Sequence, residues 1–362
     1  MRRAGRPGPR FGRGLVRLAT VALVVAALPG ASGCQKRGRF RPVPADSTSA
    51  LAADSARAAA EAAVKRWDEG VDEDAARLSA EVVRVAVRDL PIESWGARAH
   101  ELLDSLAIGA EVGEAPGAIL VNFFSRSDPE RGSWPWLFWQ SDRGPRQQRL
   151  EGRDLRFLQL TTLGAAGGPA NVAALFARRG ATAGQPIALA WKRGSGGGFT
   201  LAQTLGADSL GGTGSAEFAF ADTTLELQSR TYRTPRGFTE CATCPHVYTI
   251  HRFRWSGSGF ARESSHEVPS PYSTYVRFIH ALQANDREAG FAELTDGSLW
   301  DQARDLDWHQ ARGAWRVAPS TDEAAREMVF FRGDSEAYRV HFESRVGDWK
   351  ITAFEATSRT VE

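Results

Sequence analysis

The residues with the clearest chemical potential form a short cluster around two cysteines. Cys241 and Cys244 are separated by two residues, and His246 and His251 follow them closely. Cysteines at this spacing form disulfides, exchange thiols or bind zinc. A redox pair needs a helix N-terminus that lowers the pKa of the attacking thiol, whereas here Pro245 and a predicted strand follow the pair. We therefore expect a structural disulfide between Cys241 and Cys244.

Zinc binding is an alternative role for the same four side chains. Cys241, Cys244, His246 and His251 offer donors that zinc accepts, but their C-x2-C-x-H-x4-H spacing is not that of a common zinc finger. Covalent attachment of c-type haem is disfavoured, because that motif requires histidine where Pro245 stands. The sequence predicts no cofactor and no metal, apart from this one alternative.

The cysteine cluster lies in a stretch whose pattern is typical of β-strands. Aromatic and β-branched segments alternate there with Gly, Ser, Asp and Pro turns. Two hairpins resemble each other, because Trp191 and Phe199 flank a Gly-Ser turn just as Trp255 and Phe260 do. We expect an antiparallel β-rich domain over residues 111–268, arranged as a sandwich, with a few propeller-like blades as the alternative. The predicted strands are 118–124, 136–141, 155–163, 172–178, 186–192, 199–204, 216–221, 224–230, 247–255 and 260–262.

Two different segments precede this domain. Residues 51–110 carry apolar positions that recur every three or four residues, as in Leu78, Val82 and Val85, which predicts a helical cap. Residues 34–50 are polar and lack periodicity, which predicts a flexible tether.

The first 33 residues have the layout of a secretory signal peptide. Six arginines and no acidic residue precede a largely apolar run from Leu18 to Leu28. This run is too short to span a bilayer as a helix. The following Ala31-Ser32-Gly33-Cys34 resembles the lipobox of bacterial lipoproteins. The resemblance implies that residues 1–33 are removed, that Cys34 carries the lipid, and that Gln35 directs the protein to the outer membrane, facing the periplasm.

The charge of the mature chain argues against nucleic acid as a partner. Removal of the leader leaves 39 Lys and Arg against 43 Asp and Glu, a net charge of −4. Proteins that bind nucleic acid need a clear basic excess or a basic face. The predicted partners are instead the membrane, through the lipid anchor, and an envelope protein or a small ligand.

Residues 269–362 return to a helical pattern that is followed by strands. The order of these elements and the closing stretch Asp348-Trp349-Lys350-Ile351 resemble the nuclear-transport-factor-like, or cystatin-like, α+β cone family. The resemblance implies helices packed on a curved antiparallel sheet. Members of that family hold an Asp and His pair in an apolar pocket, which implies Asp307, His309 and Tyr275 as candidate catalytic residues.

These observations predict an α+β fold: an N-terminal helical segment, a sandwich-like β-rich centre and a cone-like C-terminal domain. The predicted function is that of an outer-membrane-anchored lipoprotein with a non-catalytic binding or structural role in the cell envelope. The alternative is an envelope enzyme, of the hydrolase or isomerase type, that uses a pocket in the C-terminal domain.

Overall fold

Helices form the first part of the described chain. The structure is a computed structural model and describes residues 47–70, 72–126, 128, 132–164, 169–179, 184–221 and 224–358. These first helices are α1 (Ser47–Asp68), α2 (Asp72–Ala86), a short 3-10 helix (Ile92–Ser94) and α3 (Trp95–Ser105). In α2 the buried residues Ala76, Ala80 and Val83 share one face because they recur every three or four positions.

Two predictions concern the N-terminal end of the chain. The signal peptide at residues 1–33 and the lipid-bearing Cys34 both lie outside the described residues. Residues 47–50 of the predicted tether belong to α1.

Strands β1 to β12 form three antiparallel sheets of four strands each in the described chain. The first sheet contains β1 (Gly109–Ala115), β2 (Ala118–Phe124), β3 (Ser133–Ser141) and β4 (Gly144–Arg149). The second contains β5 (Leu155–Leu163), β6 (Asn171–Arg178), β7 (Pro186–Arg193) and β8 (Phe199–Leu205). After the short helix α4 (Ala207–Leu210), the third contains β9 (Thr213–Ala221), β10 (Thr224–Tyr232), β11 (Tyr248–Trp255) and β12 (Phe260–Glu267). Strands that are neighbours in sequence are neighbours in each sheet.

The central strands of the second sheet, β6 and β7, are buried on both faces. In β6, Val172 and Ala174 pack with residues of the first sheet, whereas Ala173 and Leu175 pack with residues of the third. Successive side chains of a strand point to opposite faces, so a strand between two sheets needs apolar residues at every position. This explains the unbroken apolar run of β6.

The three stacked sheets differ from the two-sheet sandwich that the sequence predicts. Each sheet is closed by hairpins between its own strands, so no strand passes to a neighbouring sheet. Trp139, Trp191 and Trp255 lie near the end of the third strand of their respective sheets. The arrangement is therefore closer to the propeller-like alternative, and the repeated hairpins of the sequence are equivalent hairpins of successive sheets.

The two ends of the stack are covered differently. The helices cover the outer face of the first sheet and pack on Ile119 and Val121. The outer face of the third sheet carries Glu226, Arg254 and Glu263, with Arg254 3.6 Å and 3.2 Å from the two carboxylates. The last sheet of the stack therefore ends in a charged surface.

The C-terminal part contains three helices and a fourth antiparallel sheet. These elements are α5 (Pro271–Ala284), α6 (Arg287–Ala292), α7 (Ser298–Asp305), β13 (Trp315–Val317), β14 (Glu327–Arg332), β15 (Glu336–Arg345) and β16 (Asp348–Ala356). Their shared core is rich in aromatic residues, including Tyr272, Tyr275, Phe278, Trp308, Trp315 and Phe330. The predicted mixture of helices and antiparallel strands, with strands dominant, is confirmed.

None of the described helices is long and apolar enough to cross a membrane.

Candidate functional site

Tyr275, one of the predicted catalytic residues, lies inside the aromatic core. Its ring stacks on Phe330 at 3.7 Å and meets Trp308 edge-on at 5.7 Å. Its hydroxyl is buried and has no hydrogen-bond partner among the described residues. Burial raises the pKa of this hydroxyl well above its ordinary value. Tyr275 therefore fills space in the core.

Asp307 and His309 follow the end of α7. Asp307 has a positive φ of 57°, its Oδ2 lies 2.9 Å from Nη2 of Arg312, and its Oδ1 accepts a hydrogen bond from Gln310. His309 is half-buried, and its Nδ1 has no hydrogen-bond partner in the described chain. Neither residue, nor Tyr275, lines the cavities described below. The structure thus does not bring the three candidates together at a pocket.

Cys241 and Cys244 form a disulfide, as their spacing and predicted export led us to expect. The segment from Cys241 to Cys244 is a turn with no helix after it.

The zinc alternative does not fit this geometry, because both sulfurs are joined to each other. His246 and His251 are hydrogen-bonded elsewhere, and no group of three or more metal-binding side chains occurs in the described chain.

A buried polar network lies beside the disulfide. Glu240 accepts hydrogen bonds from the Tyr272 hydroxyl at 2.9 Å and from Nδ1 of His246 at 3.0 Å. The Glu240 and His246 side chains are only 2% and 5% exposed. His246 stacks on Tyr232 at 3.6 Å, and its Nε2 is buried without a partner in the described chain. The network joins the disulfide loop to α5.

The disulfide and Glu240 border a cavity of about 530 Å³. Val317, Pro319 and Phe331 form its apolar walls. A carboxylate that orients an imidazole is a common general-base arrangement. Here the second imidazole nitrogen of His246 is out of reach of solvent. Sequence reasoning missed Glu240 and Tyr272, although a carboxylate directly before the cysteine pair was a visible signal.

A second cavity of about 690 Å³ lies where the third sheet meets α5, and we call it the cationic cleft. Its lining includes Arg233, Arg262, Arg277, His251 and His280. Arg233 is the first residue after β10, Arg262 lies on β12, and Arg277 lies on α5. The fold therefore gathers basic side chains from three elements at one place.

His251 lies on the floor of the cationic cleft. Its Nδ1 is 2.9 Å from the Ser265 hydroxyl, and its Nε2 has no partner among the described residues but is not fully buried. Burial lowers the pKa of His251, and the positive charges of Arg262 and Arg233, together with His266, lower it further. The imidazole is therefore neutral at physiological pH, in a positive electrostatic potential.

The arginines of the cleft differ in how far their charge is compensated. Arg277 is within 3.3 Å of three carboxylates, those of Glu267, Glu293 and Asp348. Arg233 pairs with Asp208 at 3.2 Å. Arg262 donates to the backbone oxygen of Ser209 and lies over the Phe253 ring, and it forms no ion pair with a carboxylate of the described chain. The uncompensated charge of the cleft therefore lies at Arg262.

The chemistry available in the cleft is hydrogen-bond donation and positive charge. Ser265 and His251 are at the distance of a nucleophile and its base, but catalysis also needs a third group that orients the base. No carboxylate holds the second nitrogen of His251 in the described chain. Among the described residues, the cleft therefore offers hydrogen-bond donors and positive charge, but no third group that orients His251.

Comparisons with known proteins give distant structural similarity. The chain matches no protein-family model and no curated protein. Among solved structures, it is similar to an ancestral GH74 enzyme with 10% sequence identity and a TM-score of 0.19. The matched region covers 67% of this chain and 36% of that enzyme, so this chain spans well under half of that enzyme's length.

Proposed function

We propose that this protein is an outer-membrane-anchored lipoprotein whose folded body binds a ligand or partner in the cell envelope without catalysing a reaction. The anchor is proposed from the signal-like leader and from Ala31-Ser32-Gly33-Cys34. The binding role is carried by one observation: basic side chains from three elements converge on a cleft of about 690 Å³. Pockets for small molecules have volumes of about 300–1,000 Å³.

A binding role fits the side chains better than catalysis does. An active site needs a reactive group, a base and an orienting partner within reach of a bound substrate. Among the described residues, no carboxylate contacts the other imidazole nitrogen of the Ser265 and His251 pair. In the Glu240 and His246 pair, a carboxylate does hold the imidazole. This pair is closed off from solvent, since Nε2 of His246 is buried.

The proposal also includes the shape of the C-terminal domain. Residues 269–362 are proposed to form a cone-like unit of the nuclear-transport-factor type. In support, α5 to α7 precede the sheet of β13 to β16, and the two share one core. In this proposal the aromatic residues around Trp308 fill the position of the family's pocket.

The lipid anchor is tested by metabolic labelling with a palmitate analogue. The wild type should incorporate the label and fractionate with the outer membrane, and Cys34→Ala should lose both properties. The double variant Cys241→Ala/Cys244→Ala is the matched control and should keep the label. Label that persists in Cys34→Ala would refute acylation at this residue.

Binding is separated from catalysis by following the fate of the bound compound. The purified full chain is incubated with a small-molecule extract of the envelope and then examined by native mass spectrometry. A binding protein should retain a compound of unchanged mass at a stoichiometry near one. Consumption of a compound by substoichiometric protein would instead favour an enzyme.

The second candidate function is that of an envelope enzyme of the hydrolase or isomerase type. The observation in its favour is the hydrogen-bonded Glu240 and His246 pair beside a cavity of about 530 Å³. An enzyme that uses this pair should lose turnover in Glu240→Gln while it still binds its substrate. A Glu240→Gln variant that consumes extract compounds as fast as the wild type would exclude the pair from catalysis.

A further inference from the structure

We infer that the cationic cleft binds a small amphipathic anion, with Arg262 and His251 contacting its charged group and an apolar wall holding its body. The inference rests on the proposed binding function and adds to it the place and the chemical class of the ligand.

The charge balance singles out the region near Arg262. Arg277 is surrounded by three carboxylates, so its charge is compensated within the fold. Arg233 keeps one carboxylate, that of the exposed Asp208. Arg262 has no carboxylate partner in the described chain, although it is held by the Ser209 oxygen and the Phe253 ring. A cation that is held in place but not neutralised favours an anion at the open side of its guanidinium.

His251 supplies a second donor at the same place. The Ser265 hydroxyl and Nδ1 are hydrogen-bonded, and in the tautomer in which the hydroxyl donates, the proton of the neutral imidazole resides on Nε2. Nε2 has no other partner in the described chain and is not fully buried. The Arg262 and Arg233 charges that depress the pKa of His251 act at the same point of the cleft. An anion there would accept a hydrogen bond from Nε2 and meet a positive potential.

One part of the cleft lining is apolar. Pro235, Val247 and Val276 form this part, whereas Thr234, Thr249 and the carboxylates of Asp208 and Glu267 also line the cleft. Apolar surface removed from water contributes about 25 cal/mol per Å², so a ligand with a small apolar body would bind more tightly than an inorganic anion. The matching class is a small organic phosphate, sulfate or carboxylate with a ring or short chain.

Phenyl phosphate is the probe for this class, and phenol is its uncharged counterpart. Isothermal titration of the full chain in detergent at pH 7.5 should show saturable binding of phenyl phosphate and none of phenol. Imidazole resonances in NMR spectra should report a rise in the pKa of His251 when phenyl phosphate is bound, because an adjacent negative charge favours the protonated form. This measurement needs no variant of the cleft.

Two arginine variants with the same change in net charge locate the site. Arg262→Gln should weaken phenyl phosphate binding by about tenfold or more, as expected for loss of a charge-assisted contact. Arg252→Gln is the control, because Arg252 is an exposed neighbour on β11 next to the inward-facing His251. It should change the affinity by less than about twofold, since a surface charge outside the cleft contributes little.

Several results would overturn the inference. These are the absence of saturable phenyl phosphate binding, equal binding of phenol, an unchanged His251 pKa in the bound protein, or equal weakening by Arg252→Gln and Arg262→Gln. None of them bears on the label at Cys34 or on retention of an envelope compound. Failure of the cleft and failure of the proposed function are therefore separate outcomes.

Discussion

At the scale of single residues, the pKa of His251 reflects the burial and the positive charge of the cleft. Burial and the nearby positive charges of Arg262, Arg233 and His266 lower its pKa from the ordinary value of 6.5. Each cause acts against the protonated form, and the charges come from β12, which carries Arg262 and His266, and from Arg233 directly after β10. The folded protein therefore binds this proton less readily than the unfolded chain does.

This difference predicts a loss of stability in mild acid. As pH falls below about 6.5, the unfolded chain takes up a proton at His251 that the folded protein still excludes, so the free energy of unfolding decreases. His251→Asn keeps an acceptor for Ser265 and cannot titrate. Urea unfolding at pH 7.5 and 5.5 should therefore show a smaller loss in the variant, and equal losses in both proteins would contradict the prediction.

Gly211 is the residue that allows the floor of the cleft to close around His251. Its φ is +101°, and a Cβ placed on it would lie 2.1 Å from Nε2 of His251 and 2.5 Å from Oγ1 of Thr231. Gly257 also has a positive φ, +91°, but a Cβ there would meet nothing within 4 Å. A comparison of alanine substitutions at these two glycines therefore separates the cost of backbone strain from the cost of steric overlap.

Alanine at these two positions should therefore have unequal effects. Gly257→Ala should lower the free energy of unfolding by about 1 kcal/mol, from the left-handed backbone alone. Gly211→Ala should lose a further 1–3 kcal/mol or so, because the methyl group displaces the imidazole. Urea denaturation of both variants measures the difference, and equal losses would show that the overlap relaxes at no cost.

Not all chemically important residues could be recognised from their local sequence. Cys241 and Cys244 are close in sequence, so their count and spacing predict the disulfide. Glu240 and Tyr272 are 32 positions apart and meet only because α5 packs beside the disulfide loop. The resemblance that implied Tyr275 placed it in a family pocket, whereas Phe330 and Trp308 enclose it here.

At the scale of elements, α5 carries two buried tyrosines with opposite hydrogen-bonding states. The Tyr272 hydroxyl donates to the buried Glu240 carboxylate at 2.9 Å. The Tyr275 hydroxyl is buried with no partner among the described residues. One hydroxyl attaches the helix to the disulfide loop, and the other contributes no such link.

Phenylalanine at each position should separate these roles. Tyr272→Phe leaves a buried carboxylate with one donor fewer and should cost about 1.5–3 kcal/mol. Tyr275→Phe removes an unsatisfied hydroxyl and should be neutral within about 0.5 kcal/mol, or stabilising. The measurement is chemical denaturation of both variants. Equal destabilisation would show that the hydroxyls matter for packing and not for hydrogen bonding.

Strands with apolar patterns were predictable, and polar edge strands were not. The predicted bounds of β2 and β5 match the structure. No strand is predicted over β1 or β4, whose sequences GAEVGEA and GPRQQR hold glycine and charged or amide residues. Both are edge strands of the first sheet. Backbone pairing with a neighbouring strand forms them, and side-chain patterning does not reveal such pairing.

At the scale of the whole molecule, stability is distributed unequally along the stack of sheets. Trp191 in the second sheet is fully buried in a core shared with the first sheet. Trp255 has the equivalent place in the third sheet but is only partly buried. Equivalent positions in the repeat therefore differ in how much apolar area they remove from water.

Truncation of the two tryptophans should reveal this difference. Trp191→Ala should lower the free energy of unfolding by about 3–5 kcal/mol. Trp255→Ala should cost less than about half of that, since less apolar area is lost. Guanidinium unfolding of both variants gives the comparison. An equal or larger loss in Trp255→Ala would show that the third sheet is as tightly enclosed as the second.

The arrangement of the sheets was harder to predict than the strands themselves. Alternating and continuous apolar patterns show that faces are buried, but they do not say which sheet covers which. The hairpin repeat around Trp191 and Trp255 was the visible sign of equivalent units. It was compatible with both a sandwich and a series of sheets, since both are built from antiparallel hairpins.

The unlike ends of the stack limit how such a protein can grow by gene duplication. A further unit appended after the third sheet would have to bury Glu226, Arg254 and Glu263, at a desolvation cost of several kcal/mol for each ion. A unit inserted before the first sheet would have to displace the helices. A copied four-strand unit is accommodated only at an internal junction, where apolar faces already meet.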